Sequence, residues 1–255
     1  MYYLIGNKFS VSYLHLQLIV LFAQKIQFDN YVKLNKKIIF ILYSLLTFFI
    51  CYTVECSTGI VALFFLIIGL VFHKELENLL IKPKTIIFTL LFFTTMLFIF
   101  SSILDNAFIK YIIVDILHED ITLTGRMTIY AIIGEILKGH YILGYGMGSS
   151  FEVMMNFMHA PNTQNGLLEC ILEQGILSTS LLIIIIYSIF KKANKKKSNV
   201  ISIYMIYIYV FLSCIEITLD KSFLIWLALV LVTSNDLKKI NKRFEKENIN
   251  GKIID

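Results

Sequence analysis

The fold class that this sequence predicts is all-α: a polytopic membrane protein with about seven transmembrane helices and one long outer loop containing short interfacial helices. Three observations predict it. Apolar residues make up 57% of the 255 residues and charged residues only 16%, which leaves too little polar surface to cover a water-soluble fold of this size. The apolar residues come in long runs, and the lysines cluster between those runs rather than along one helical face, which turns the net charge of +5 away from nucleic acid and towards a membrane surface. A single long stretch, Asp105 to about Gly166, breaks the sequence of runs.

A helix needs about 20 apolar residues to cross roughly 30 Å of hydrocarbon at about 1.5 Å per residue. The windows that approach this length are Phe9 to Ala23, Ile38 to Val54, Thr58 to Phe72, Thr85 to Leu104, Leu167 to Phe190, Val200 to Ile217 and Phe223 to Thr233. The fourth holds about a dozen Ile, Leu and Phe residues, each of which favours insertion by about 0.3 to 0.6 kcal/mol. The seventh is the shortest. The organisation predicted is four N-terminal spans over 1–104, the outer loop over 105–166, three spans over 167–235 and a basic tail over 236–255.

Cytoplasmic loops retain Lys and Arg. Placing Lys25 to Lys37, Lys74 to Lys84, Lys191 to Lys197 and the tail from Lys238 to Lys252 inside leaves only Lys8, Lys110, Arg126, Lys138 and Lys221 outside. The alternation of spans then puts loop 105–166 and the amino terminus outside and the carboxyl terminus in the cytoplasm. No signal peptide with a basic start precedes the first span, so the sequence predicts a chain that has lost upstream spans. The cysteines Cys51, Cys56, Cys170 and Cys214 lie in or beside apolar segments without a CxxC pair, the pattern of small apolar fillers rather than of a zinc site or disulfide framework.

Connections as long as the outer loop seldom lack a role. It holds His118, His140, His159 and Arg126, and about half of the 12 glycines. Thr124 is placed to cap a helix in which Ile129, Tyr130, Ile132, Ile133, Ile136 and Leu137 form one apolar stripe, predicted to lie along the outer membrane surface. Arg126 falls in the first turn of that helix, where the dipole disfavours a cation. Free N–H groups and a guanidinium at a helix start suit a phosphate or pyrophosphate; a surface cation facing lipid headgroups accounts for Arg126 equally well.

Gly144-Tyr145-Gly146-Met147-Gly148-Ser149 is a tight turn rather than a dinucleotide fingerprint, because no strand precedes it. After it, His159-Ala160-Pro161-Asn162-Thr163-Gln164-Asn165 leads into a helix predicted to run unbroken from Leu167 to Phe190, with Glu169 and Glu173 on one face near the outer boundary. Such carboxylates mark a substrate route or are hydrated by headgroup water. Asp115, His118, Glu119 and Asp120 are too close in sequence to converge on one ion, and neither DxD nor HExxH occurs, so no metal is predicted.

The order Thr124-Gly125-Arg126, Gly144-Tyr145-Gly146, Gln164-Asn165, Leu168 and Gly175 resembles the O-antigen ligase and Wzy-type polysaccharide polymerase family, whose loop reads roughly as GR, a GYG-like turn and HNxxLxxxxxxG. The likeness is sharpest over about a fifth of the chain. Weaker likeness extends to Gly6-Asn7-Lys8 and Ser57-Thr58-Gly59. The resemblance implies metal-independent and cofactor-free transfer of an undecaprenyl-pyrophosphate-linked glycan onto a lipid-linked repeat unit, at the outer face of the bacterial cytoplasmic membrane. Other polysaccharide assembly proteins are the partners it suggests.

It implies pyrophosphate binding by Arg126 and places Gln164 and Asn165 at the family's His-Asn position; the candidate site is then Arg126, Tyr145, Gly146, Glu169 and Glu173 for substrate binding and His159, Gln164 and Asn165 for catalysis. A pyrophosphate leaving group needs cations or N–H donors, and an attacking hydroxyl needs a base. Two departures qualify the match. Gln164 stands where the family has histidine, and an amide is no general base near neutral pH; His159 is the substitute the loop offers. The chain also carries fewer spans upstream than family members do, as a truncated member would. A ligase that moves finished glycan, and a non-catalytic membrane protein, are the alternatives. A transporter is disfavoured by the scarcity of ionisable and helix-breaking residues at mid-span.

Overall fold

A computed structural model describes residues 7–28, 34–101, 126–195 and 201–234, and every regular element among them is a helix. In chain order these are α1 (Lys8–Phe28), α2 (Leu34–Thr53), α3 (Ser57–Val71), α4 (His73–Leu80), α5 (Pro83–Ser101), α6 (Arg126–Ile136), α7 (Ser150–Met158), α8 (Gly166–Lys195), α9 (Ser202–Leu212) and α10 (Lys221–Ser234). Each of the apolar windows overlaps one of these helices. Two have the length and apolarity to cross a membrane, Lys8–Ile26 and Gly166–Lys195; α3 and α4 form a third if a pair bent by 99° counts as one. The other apolar helices are shorter.

Several boundaries depart from the pattern of hydropathy. The segment Lys74 to Lys84, expected to be a charged connection, is largely helical as α4, whose ends receive hydrogen bonds from two tyrosines of α9: Tyr204 to the His73 carbonyl at 3.2 Å and Tyr207 to the Leu80 carbonyl at 2.8 Å. The window from Val200 to Ile217 shortens to α9. Beyond Leu212 the hydroxyls of Ser213 and Thr218 turn back onto the carbonyls of Val210 and Tyr209, the local competition by which Ser and Thr end helices.

The chain divides into two compact units. The first holds α1 to α4 with parts of α5, α8 and α9 and all the described part of α10 after Ser222. Asn7 caps α1, its Oδ1 accepting from the Ser10 N–H at 3.0 Å. Helices α1, α2 and α3 pack on one another, and Gly59 is what lets them close. A Cβ there would lie 2.9 Å from Ser12 Cβ and 3.2 Å from Cys51 Sγ. Ser202 donates to Gln24 Oε1 at 2.9 Å, a buried polar pair. The four cysteines are buried thiols outside any disulfide.

The second unit holds most of α5, α6, α7, the first part of α8 and the turn after α9. Its core is Ile129, Tyr130, Ile133, Ile136 and Leu137 of α6 and its end, packed with Val153 and Met154 of α7 and Leu172 of α8. The stripe of α6 therefore faces protein. That corrects the expectation that this helix lays its apolar face on the membrane surface: α7 and α8 supply the apolar partner that lipid was expected to supply.

Candidate functional site

Gly175 sits inside α8 with φ 74° and ψ 173°, a conformation reserved almost entirely for glycine. The unbroken helix expected from Leu167 to Phe190 is therefore two helical segments meeting at this residue. A break exposes carbonyls at the end of the first segment and N–H groups at the start of the second, and each needs a partner when shielded from water. The loop between α6 and α7 supplies them. Tyr145 and Gly146 donate their N–H groups to the Leu172 and Glu173 carbonyls at 2.8 and 2.9 Å, while the Tyr141 and Ile142 carbonyls accept from Ile176 and Leu177 at 2.8 and 3.3 Å. The loop and the broken helix thus form a backbone clasp.

The clasp tolerates no side chain at two positions. A Cβ on Gly175 would lie 2.0 Å from the Ile142 oxygen, and one on Gly144 would lie 2.5 Å from the Glu173 carbonyl carbon. Gly144 also needs its positive φ of 71°. The Gly-Tyr-Gly turn and Gly175, separate marks in the sequence, are two sides of one contact.

Tyr145 fixes the clasp to α6. Its hydroxyl donates to the Ile136 carbonyl at 2.5 Å, and its ring stacks on His140 with centroids 3.9 Å apart. Tyr145→Phe keeps the ring and removes the hydroxyl, so a loss of about 1 kcal/mol is expected, read as a fall of a few degrees in the midpoint of thermal unfolding in detergent. The Gly146 N–H is spent on Glu173, and the Glu173 carboxylate accepts from the Gly148 N–H at 3.0 Å. That carboxylate lies at the start of α7, where negative charge is favoured. The glycine-rich turn therefore receives an anion from its own chain.

The segment from His159 to Asn165 is shaped by two residues in the left-handed region, His159 at φ 53° and Gln164 at φ 51°. His159 terminates α7 and is exposed. Gln164 is half-buried, its N–H donating to Asn162 Oδ1 at 2.9 Å. Asn165 is fully buried and makes contacts in two directions. Its Oδ1 accepts from the Leu167 and Leu168 N–H groups, both at 3.1 Å, capping α8, and its Nδ2 donates to the Thr94 carbonyl of α5 at 2.9 Å. Glu169, also buried, reaches back so that its Oε2 accepts from the Thr163 N–H at 3.1 Å and faces the Thr163 hydroxyl at 2.8 Å.

The structure thus brings together Tyr145, Gly146 and Glu173 around the clasp, and Asn165 and Glu169 around Thr163. His159 forms no hydrogen bond with any of them among the described residues. Arg126 opens α6, in the first turn as its position predicts, but its side chain lies outside the described residues, as do Thr124, Asp115, His118, Glu119 and Asp120. Among the described residues no group of three or more His, Cys, Asp or Glu is placed to hold a metal ion. Thr163 and Thr94 are site residues that sequence reading passed over. Neither has a signature, because a threonine six residues before a glutamate and a main-chain carbonyl of a distant helix become partners only in the fold.

Fold and site together define an all-helical protein with apolar helices long enough to cross a membrane, in which a glycine-rich loop is clasped into a broken helix. Against protein-family models, curated proteins and solved structures the chain gives no match.

Proposed function

We propose that this chain is a polysaccharide polymerase of the bacterial cytoplasmic membrane, transferring an undecaprenyl-pyrophosphate-linked glycan onto a lipid-linked repeat unit. In this reading about seven segments cross the bilayer, the lysine-rich connections and the carboxyl terminus lie inside, and loop 105–166 faces out. The acceptor hydroxyl attacks the anomeric carbon of the donor, the bond from that carbon to the pyrophosphate oxygen breaks, and the hydroxyl proton passes to a base. Arg126 holds the departing pyrophosphate. The exposed His159 is the base, since Gln164 is neutral and half-buried.

The observation that carries the reading is the convergence of the residues on which the family resemblance rests. Gly144, Tyr145, Gly146 and Gly175 meet in one clasp, and Asn165 caps the same helix α8 within the same unit. Residues scattered over the loop thus support one structure, and His159, at the end of α7, is exposed and open to a ligand.

Arg126→Ala is expected to lower chain extension by about a hundredfold or more while leaving membrane insertion intact. Polymer of normal length and amount from that variant overturns the assigned role. Gln164 in place of histidine favours a second reading, a non-catalytic membrane protein, which expects Arg126, His159 and Gln164 substitutions to leave glycan unchanged. A ligase of the same family is separated from a polymerase by what a deletion strain accumulates: unattached long chains for the former, single repeat units for the latter.

A further inference from the structure

The loop that clasps α8 carries its own apolar tip. Ile142 is 69% exposed, Leu143 71% and Met147 77%, with Tyr141 beside them at 43%. Contiguous apolar exposure on this scale marks a surface that something covers. What covers it is indicated by where the tip is fastened. The Tyr141 and Ile142 carbonyls are bonded to Ile176 and Leu177, the first two residues of the second segment of α8, and these are themselves half-exposed apolar residues. From there the exposed apolar face continues along α8 through Leu181, Ile184 and Ile185, within a helix long and apolar enough to cross a membrane. Tip and span present one continuous apolar surface.

The backbone of the tip suits the same setting. Each main-chain group paired within the protein lowers the cost of bringing a non-helical segment to the edge of the hydrocarbon. Here the Tyr141 and Ile142 carbonyls and the Tyr145 and Gly146 N–H groups are all taken up by α8, and the Gly144 N–H donates to the His140 carbonyl at 2.8 Å. Charges flank the tip without lying in it: the Glu173 carboxylate sits at the Gly148 N–H just after it. Lys138 and Glu135, 4.0 Å apart and both largely exposed, lie at the base of the tip, the arrangement of headgroup-level charges below an inserted apolar end.

We infer that residues 141–147 dip into the leaflet adjoining α8 and are covered there by lipid acyl chains, so that the loop is seated on the membrane by its tip rather than by the stripe of α6. This rests on the membrane reading above and not on glycosyl transfer. It has a consequence for that reaction: His140 and Glu173, at the two ends of the tip, would be held at the depth where lipid-linked phosphates lie.

The test places nitroxide labels on Leu143→Cys, Ile142→Cys, Lys138→Cys and Ile184→Cys variants of the full chain in phosphatidylethanolamine and phosphatidylglycerol vesicles. The unmutated chain serves as the labelling blank for its four buried thiols. Relaxation by oxygen, which concentrates in hydrocarbon, is compared with relaxation by a water-soluble nickel complex. The expected result is an oxygen-to-nickel ratio at 142 and 143 several-fold above that at 138 and approaching that at 184. Ratios at 142 and 143 equal to that at 138, with 184 still in lipid, overturn the inference alone. Shielding of 142 and 143 from both reagents also overturns it, because protein and not lipid then covers the tip. Nickel access at 184 as free as at 138 removes the membrane reading itself.

Discussion

Gly175→Ala is expected to unfold the second unit rather than to perturb it. The substitution meets two independent costs. Holding a non-glycine residue near φ 74° and ψ 173° costs about 1 to 3 kcal/mol. The new methyl would also overlap the Ile142 carbonyl, 2.0 Å away, so the loop must withdraw, breaking the bonds to Ile176 and Leu177 at about 1 to 3 kcal/mol for each group left unpaired. The sum, about 3 kcal/mol at the least, is comparable with the whole stability of a small domain. Loss of monodisperse protein in detergent, or a midpoint of thermal unfolding lowered by ten degrees or so, is the result that checks it. Gly139→Ala supplies the comparison: Gly139 has a positive φ of 84° but nothing within 4 Å of the added methyl, so it incurs conformational strain without overlap. If Gly175→Ala proves no worse than Gly139→Ala, the clasp does not exist in solution. Gly144→Ala should act like Gly175→Ala, and the double variant should fall well short of the sum, because the same contact is lost twice.

Asn165→Ala is expected to cost about 2 to 4 kcal/mol. The cap of α8 accounts for about 1 of this, and the rest comes from losing a further buried hydrogen bond, that from Nδ2 to the Thr94 carbonyl, and leaving a cavity at a fully buried site. Asn165→Ser restores the acceptor for the Leu167 and Leu168 N–H groups and should recover the capping share only. The measurement pairs unfolding midpoints with glycan transfer per folded molecule. A structural Asn165 predicts that transfer falls in step with the folded fraction. A fall in turnover at unchanged stability returns Asn165 to the catalytic role that the resemblance assigned it.

These two residues show how far the sequence reads by itself. Helicity, the apolar windows and the position of Arg126 at a helix start were all legible, because each is a property of a few neighbouring residues: apolar run length, helical period and the charge of a first turn. The seats of Gly144 and Gly175 were legible only as glycines. Nothing local says that Gly144 will face the Glu173 carbonyl and Gly175, about 30 residues later, the Ile142 carbonyl, since the contact needs the chain to fold back through α7.

The same division holds for the polar candidates. Glu169 and Glu173 looked like two equivalent carboxylates, and the fold gives them different tasks, one held by Thr163 and the other at the start of α7. Sequence periodicity established that α6 has an apolar face, for amphipathicity is written in spacing. Only the tertiary structure decided that the face meets Val153, Met154 and Leu172 instead of lipid. The physical reason is that burial of an apolar face is favourable against either partner, so spacing fixes that it will be covered, and the path of the chain fixes by what.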